Sequence, residues 1–118
     1  MFMKMSTLAI HPLTEENSEH AHLTPIFSTS TFTFENAEQG MKRFSGAEKG
    51  FTYSRFGNPT TSAAEEIISS LEAFGIKDEN GEQLKVKALL HASGQSAMST
   101  MFMSNILPGQ PILSDSNV

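Results

Sequence analysis

The most informative stretch of the chain is residues 53–60, which read Tyr53-Ser54-Arg55-Phe56-Gly57-Asn58-Pro59-Thr60. It places a phenol and a guanidinium two residues apart, just before a Gly-Asn-Pro turn. Arginine offers a planar fork of donors that fits phosphate oxygens two at a time, and tyrosine adds one hydroxyl donor. Asn58 suits the cap of a following helix and Pro59 its first position. The stretch predicts a contact for a small anion; a solvated loop or a local ion pair is the alternative.

A second stretch further along the chain strengthens this prediction. Residues 85–92 are predicted as a short strand that runs into Ser93-Gly94-Gln95-Ser96, and a helix is predicted from about residue 95 to residue 107. The first amides of a helix have no intrahelical partner, and the helix dipole favours an anion there. Gly94 lets a ligand approach the backbone because it has no Cβ. The alternative is a plain strand-to-helix turn capped by Ser93.

Together these stretches resemble the fold-type I pyridoxal-phosphate enzymes of cysteine and methionine metabolism, the trans-sulfuration family. The resemblance runs from about residue 20 to the end of the chain. Gln95 stands where the family more often has Met, which matters little for a contact made by the backbone amide. The segments that carry the resemblance are Thr24-Pro25-Ile26-Phe27, Ser30-Thr31-Phe32, residues 34–40, residues 53–60, residues 93–97 and Leu107-Pro108-Gly109.

The resemblance implies pyridoxal 5'-phosphate as the cofactor and assigns residues to its phosphate. Tyr53 and Arg55 resemble the pair that reaches across a dimer interface to the cofactor of the neighbouring subunit, with a backbone contact from Ser54. Gly94 and Gln95 resemble the amides that bind the phosphate within the same subunit. A homodimer with a shared cofactor site is therefore implied, and two such dimers form a homotetramer in the family.

The resemblance also implies the fold class and the reaction. The fold is α/β: residues 1–58 form an N-terminal extended arm and interface segment, and residues 59–118 begin the large pyridoxal-phosphate domain, whose sheet is mostly parallel within three layers in the complete enzyme. The reaction is γ-elimination or γ-replacement on a sulfur amino-acid or O-acylhomoserine substrate. Methionine gamma-lyase is the first choice; cystathionine gamma-synthase or lyase and O-acetylhomoserine sulfhydrylase are the others. The alternative is a non-catalytic truncated homologue that serves as an anion-binding or subunit-interaction module.

Three residues that the family needs have no counterpart in this sequence. They are the Tyr that stacks on the pyridine ring, the Asp that pairs with the ring nitrogen and the Lys that forms the Schiff base. Pyridoxal chemistry depends on that Lys and that Asp. The chain has six lysines, none in a matching context: Lys4, Lys42, Lys49, Lys77, Lys85 and Lys87. We therefore expect the N-terminal portion of an enzyme, inactive alone.

Periodicity predicts further elements. A helix from residue 59 to 74 ends at Gly75, with Asn58 as its cap and a Ser62–Glu65 capping box as the competing start. A helical period also covers residues 37–44, and a second strand is predicted at residues 111–114. Glu65 and Glu66 are predicted on a solvated helix face. Two strands alone cannot make a covered, paired sheet.

Composition argues against several partners. The net charge is −5, so the chain lacks the basic footprint of nucleic-acid binding. It has no cysteine, which excludes disulfides and thiolate metal sites and is compatible with a cytoplasmic protein. No apolar run approaches membrane length. His20 and His22 could bind a metal, although solvated histidines are favoured. His91 either packs at a strand end or lies near the cofactor, and residues 1–19 are either part of the arm or a disordered tail.

Overall fold

The computed structural model describes residues 4–11 and 21–116. Within these residues the chain forms four helices joined by turns and irregular segments. They are α1 (Met5–Leu8), α2 (Ala37–Phe44), α3 (Pro59–Glu72) and α4 (Gly94–Asn105). In the described ranges, β-pairing is limited to two isolated antiparallel bridges, Thr31 with Tyr53 and Lys77 with Gln83.

Helix α3 confirms the prediction made from residues 58–75. The Asn58 side chain accepts a hydrogen bond from the Thr60 N–H at 2.9 Å, so Asn58 is the cap and the competing start at Ser62 is not used. Pro59 occupies the first turn, where its missing N–H costs nothing. The helix ends at Glu72, and Gly75 follows with a φ of +75°, a conformation that favours glycine.

Helices α2 and α4 also begin where the sequence predicts. The Asn36 side chain accepts from the Gln39 N–H at 2.9 Å at the start of α2. The Ser93 side chain accepts from the Ser96 N–H at 3.1 Å at the start of α4. Helix α4 ends at Asn105, two residues short of the predicted end and before Pro108. Each helix thus has a local cap that fixes its first residue.

The two predicted strands are wrong as sheet elements in the described part of the chain. Neither residues 85–92 nor residues 111–114 pair in a ladder there. Residues 84–90 instead lie along α3, where side chains replace a neighbouring strand: the Ala88 N–H donates to Ser69 Oγ at 2.7 Å, and the Leu90 N–H donates to Glu65 Oε1 at 2.9 Å. A strand needs a second strand for its backbone groups. The described residues supply none, so the sheet of the predicted α/β class is not formed within them.

Two glutamates on α3 are less solvated than predicted. Glu65 is half-buried and accepts the hydrogen bond from Leu90. Glu66 is also half-buried, and loss of solvation raises its pKa above the ordinary value for a glutamate. The solvated-face interpretation of this pair is therefore wrong, and for Glu65 the reason is its hydrogen bond to the segment at residues 84–90.

The predicted arm is partly helical and packs on the rest of the chain. Helix α1 contacts α3, and Leu8 is buried. Near residue 30 the arm lies beside the motif: the Phe32 N–H donates to the Thr52 carbonyl at 3.2 Å, and the Ser54 N–H donates to the Ser30 carbonyl at 2.9 Å. The disordered-tail alternative concerns residues 1–19; of these, 1–3 and 12–19 lie outside the described residues, as does His20. In the described ranges, no helix is long and apolar enough to cross a membrane.

Candidate anion-binding site

Residues 53–57, the tyrosine–arginine loop, form a tight turn before α3. The Phe56 and Gly57 N–H groups both donate to the Tyr53 carbonyl, at 2.9 and 3.2 Å. The Arg55 guanidinium carbon lies 5.1 Å from the centre of the Tyr53 ring, within cation–π distance. The Arg55 side chain is exposed, and its N–H groups find no acceptor among residues 4–11 and 21–116. The loop thus presents a phenol and a guanidinium side by side, and the guanidinium has no acceptor within the described ranges.

Ser54 lies inside this loop and is fully engaged. Its N–H donates to the Ser30 carbonyl at 2.9 Å, and its hydroxyl donates to the Thr29 carbonyl. The same hydroxyl oxygen accepts from Asn58 Nδ2 at 3.0 Å. The backbone contact predicted for Ser54 stays a prediction, but in this arrangement the amide that would make it is already occupied. Ser54 instead ties the loop to residues 29–30.

Asn58 does more than cap α3, a role that sequence reasoning missed. Its side chain is buried, at 7% exposure, and uses every hydrogen-bonding group it has. Oδ1 accepts from the Thr60 N–H, while Nδ2 donates to the Phe27 carbonyl and to Ser54 Oγ, both at 3.0 Å. Thr60 adds a fourth link, since its hydroxyl donates to the Pro25 carbonyl at 3.2 Å. The cap residue therefore joins three segments of the chain, and only the cap itself has a local sequence signal.

The N-terminus of α4 is the second part of the site. Gly94 and Gln95 are exposed, and their N–H groups have no acceptor within the part of the chain that the structure describes. The next two amides are used: the Ser96 N–H donates to Ser93 Oγ and the Ala97 N–H to the Ser93 carbonyl, both at 3.1 Å. A Cβ added at Gly94 would meet nothing within 4 Å. The first two amides of a twelve-residue helix are therefore without an acceptor in the described chain, and the space beside Gly94 is open.

His91 lies beside this turn, half-buried, with Nδ1 3.3 Å from Ser96 Oγ. The packed alternative and the cofactor alternative for His91 both remain, because this contact accounts for only one ring nitrogen. Among the described residues no group of three His, Cys, Asp or Glu side chains could hold a metal ion.

The two parts of the site stay separate in this chain. Within the described ranges, no hydrogen bond, ion pair or ring contact joins residues 53–55 to residues 94–95. Both parts nevertheless consist of donors: a guanidinium, a phenol and two backbone amides. Such a set without carboxylates fits a phosphate dianion. All six lysines are exposed, and none lies beside either part in a described contact.

Comparison with known proteins defines the class of this protein. Residues 6–118 match the family of Cys/Met metabolism PLP-dependent enzymes, where PLP is pyridoxal 5'-phosphate. The chain belongs to this family, which confirms the resemblance read from its motifs. Pyridoxal phosphate is the cofactor of the family, and the donor set described above fits its phosphate.

Two relatives illustrate how similar this chain is to individual members of the family. An L-methionine gamma-lyase of Fusobacterium nucleatum subsp. polymorphum is 37% identical over 111 residues, which is 94% of this chain and 25% of that enzyme. The homocysteine/cysteine synthase of Saccharomyces cerevisiae is 32% identical over 105 residues, 82% of this chain and 23% of the relative. The chain thus spans about a quarter of the length of the curated relatives it matches.

A solved structure gives a similar result for the fold. It is a crystal structure of a protein described as an O-acetylhomoserine (thiol)-lyase from Campylobacter jejuni, which contains a pyridoxyl-lysine-5'-monophosphate residue. The TM-score is 0.56 at 29% sequence identity, over 61% of this chain and 18% of that chain. This likeness is consistent with a fold-type I architecture, although the described residues themselves contain no sheet.

Proposed function

We propose that this chain provides the phosphate contacts of a pyridoxal-phosphate enzyme that acts on sulfur amino acids. The observation that carries the proposal is family membership over residues 6–118. The unpartnered donors of Arg55, Gly94 and Gln95 support it, because they are what a phosphate group requires and nothing else in the described chain uses them.

Each donor has a distinct task in this proposal. The amides of Gly94 and Gln95, backed by the dipole of α4, hold phosphate oxygens without a change in charge. Arg55 adds a full positive charge and a bidentate grip, and the Tyr53 hydroxyl adds one donor. Pyridoxal phosphate, when bound, supplies the electron sink for the chemistry. The contribution of these residues is to bind and orient it through its phosphate.

The two parts of the site, which no hydrogen bond, ion pair or ring contact joins within the described residues, fit an arrangement shared between two subunits. We place Gly94 and Gln95 on the phosphate of their own subunit, and Tyr53 and Arg55 on the phosphate of a neighbouring copy. The site would then be incomplete in a monomer, so a homodimer is the minimal unit and a homotetramer the expected assembly.

For the reaction we propose γ-elimination from methionine first, supported by the similarity to the Fusobacterium L-methionine gamma-lyase. γ-Replacement on an O-acylhomoserine comes second, supported by the similarity to the O-acetylhomoserine (thiol)-lyase structure. Both reactions use the same phosphate anchor, and both labilise a bond at the γ carbon.

The test uses the complete polypeptide that carries these 118 residues. It is purified with pyridoxal phosphate, and the visible absorbance of bound cofactor is recorded. Thiol and ammonia released from methionine are then measured beside thioether formation from O-acetylhomoserine and a thiol. Methionine-dependent release supports the first choice, and thioether formation alone supports the second. Cofactor binding without either reaction favours the non-catalytic module, and no cofactor binding contradicts the proposal.

A further inference from the structure

We propose that Asn58 is a positioning residue for the phosphate contact made by the tyrosine–arginine loop, an inference that rests on the proposed function. Asn58 does not reach the anion itself. It acts through Ser54, which lies between Tyr53 and Arg55 and accepts from Asn58 Nδ2 at 3.0 Å.

The contacts of Asn58 connect the loop to two other segments. Nδ2 also donates to the Phe27 carbonyl, 31 residues away in sequence, and Oδ1 holds the first turn of α3. Ser54 in turn donates to the Thr29 carbonyl from its hydroxyl and to the Ser30 carbonyl from its N–H. Residues 27–30, the loop and the start of α3 therefore meet at one buried amide. The loop cannot shift relative to α3 without breaking these bonds.

The chemistry of the asparagine side chain fits this role better than capping alone would require. Serine and aspartate cap helices about as well as asparagine. Neither can donate twice: serine has one hydroxyl, and an ionised aspartate only accepts. At position 58 both amide hydrogens have acceptors and the carbonyl has a donor, in a side chain only 7% exposed. An unpaired group there would carry a desolvation cost.

The consequence concerns preorganisation of the phosphate contact. Arg55 and Tyr53 are exposed or half-exposed side chains on a five-residue turn, and their own contacts are to each other and to Phe56. The Ser54 links fix this turn against residues 29–30 and α3, and one further backbone bond, from the Phe32 N–H to the Thr52 carbonyl, holds the residue before it. A loop held in place before it binds loses less freedom on binding than a mobile one. Loss of the Asn58–Ser54 link should thus weaken phosphate binding with Tyr53 and Arg55 intact.

The first experiment compares Asn58→Ser with Asn36→Ser in the complete enzyme. Asn36 is also a helix cap and accepts from Gln39, but its side chain donates to no acceptor among the described residues, so it controls for the cap.

Binding is measured for pyridoxal phosphate and for pyridoxal, which lacks the phosphate. Asn58→Ser should weaken pyridoxal phosphate binding about tenfold, the order expected when the Tyr53 and Arg55 side chains must be ordered on binding, with pyridoxal binding unchanged. Asn36→Ser should change neither. Aspartate is avoided because its charge would itself repel the phosphate.

The second experiment uses Ser54→Ala, which removes the bridging hydroxyl but keeps the helix cap. This variant should weaken the binding of pyridoxal phosphate as Asn58→Ser does, with pyridoxal binding unchanged. The double variant Asn58→Ser, Ser54→Ala should lose less than the product of the two single effects, because the two residues share a bond. Faster hydrogen exchange at the Ser54 amide in Asn58→Ser, with the amides in the middle of α3 unchanged, would place the change in the loop.

The outcomes separate this inference from the proposed function. A parent enzyme that binds pyridoxal phosphate no better than pyridoxal contradicts the phosphate site itself, and the positioning role fails with it. A phosphate preference that survives intact in Asn58→Ser overturns the positioning role alone. Equal weakening of both ligands in Asn58→Ser also overturns it, because Asn58 would then support the fold in general.

Discussion

Arg55 shows how the site depends on single side chains. Its guanidinium carbon lies 5.1 Å from the centre of the Tyr53 ring, and its N–H groups have no acceptor in the described chain. A cation–π contact uses none of the five N–H donors of the guanidinium. A side chain that is already oriented by a neighbouring ring can grip an anion with little further ordering.

At this scale we predict the effect of replacing Arg55 in the complete enzyme. Arg55→Ala should weaken pyridoxal phosphate binding by about 1.5–3 kcal/mol, the range for hydrogen bonds to charged groups. Arg55→Lys should retain only part of the cofactor affinity, because an ammonium cannot bind two phosphate oxygens in one plane as a guanidinium does. Equilibrium titration with the cofactor measures both.

The control for Arg55 is Lys49→Ala, which removes one positive charge from another exposed position. It should leave cofactor affinity unchanged, which separates the specific contact from net charge. If Arg55→Ala bound the cofactor as tightly as the parent, Arg55 would have no part in the phosphate site.

At the scale of elements, α3 organises the chain around it. Its N-terminus holds residues 25–27 and the tyrosine–arginine loop, and its side holds residues 84–90. Glu65 and Ser69 lie one turn apart on that side and accept from alternate residues, Leu90 and Ala88. Residues 84–90 lead directly to the Ser93 cap of α4. The helix that positions one part of the site therefore also positions the approach to the other.

We predict that these two side chains fix residues 84–90. Ser69→Ala should lower stability by about 1 kcal/mol, the usual net value of one hydrogen bond. Glu65→Ala should have an effect of similar size, and Glu65→Gln should be milder because its side-chain carbonyl can still accept. Hydrogen exchange should become faster at the Ala88 amide in Ser69→Ala and at the Leu90 amide in Glu65→Ala.

Glu72→Ala is the matched control for these variants, since Glu72 is exposed at the end of the same helix. It should leave exchange at Ala88 and Leu90 unchanged. Unaltered exchange at Ala88 in Ser69→Ala and at Leu90 in Glu65→Ala would mean that other groups accept these two hydrogen bonds, as a neighbouring strand would in a completed sheet.

On the scale of the whole molecule, very little apolar surface is buried. Among the described residues the buried hydrophobic side chains are Leu8, Ala63 and Ala73. The chain exposes 10127 Å², against about 6300 Å² for a compact protein of its size. Large apolar side chains are exposed along α4 and in the segments before and after it, among them Leu89, Leu90, Met98, Met101, Met103 and Leu107. Such a surface favours association.

We therefore predict that the 118-residue chain produced by itself is marginally stable and prone to associate. Among residues 4–11 and 21–116, the backbone around residues 84–91 lacks a neighbouring strand, and the buried core is too small to offset the chain entropy lost on folding. Sedimentation should show higher-order species, and amide exchange should show weak protection. A sharp monomer with strong protection at residues 86–90 and 97–105 would contradict this and favour a self-standing module.

The sequence by itself determined the parts of this protein whose causes are local. Helices α2, α3 and α4 were predictable because each begins with a side chain that bonds an amide two or three residues on, as Asn58 does to Thr60. The family was predictable because Tyr53, Arg55 and the Ser93-Gly94 turn form a specific motif, and residues 6–118 match that family. The roles of the individual site residues remain predictions.

Only the tertiary structure decided what depends on partners far along the chain. The Asn58 side chain donates a hydrogen bond to the Phe27 carbonyl, 31 residues away, and the Thr60 side chain donates one to the Pro25 carbonyl, 35 residues away. No local sequence pattern predicts either bond. Residues 85–92 predict a strand, yet in the described chain the Ala88 and Leu90 amides bond to side chains of α3 and no second strand lies beside them. A helix satisfies its own backbone, so sequence can specify it locally. A strand, and a buried side chain such as Asn58, bond to residues far away in the sequence, so only the folded chain defines their partners.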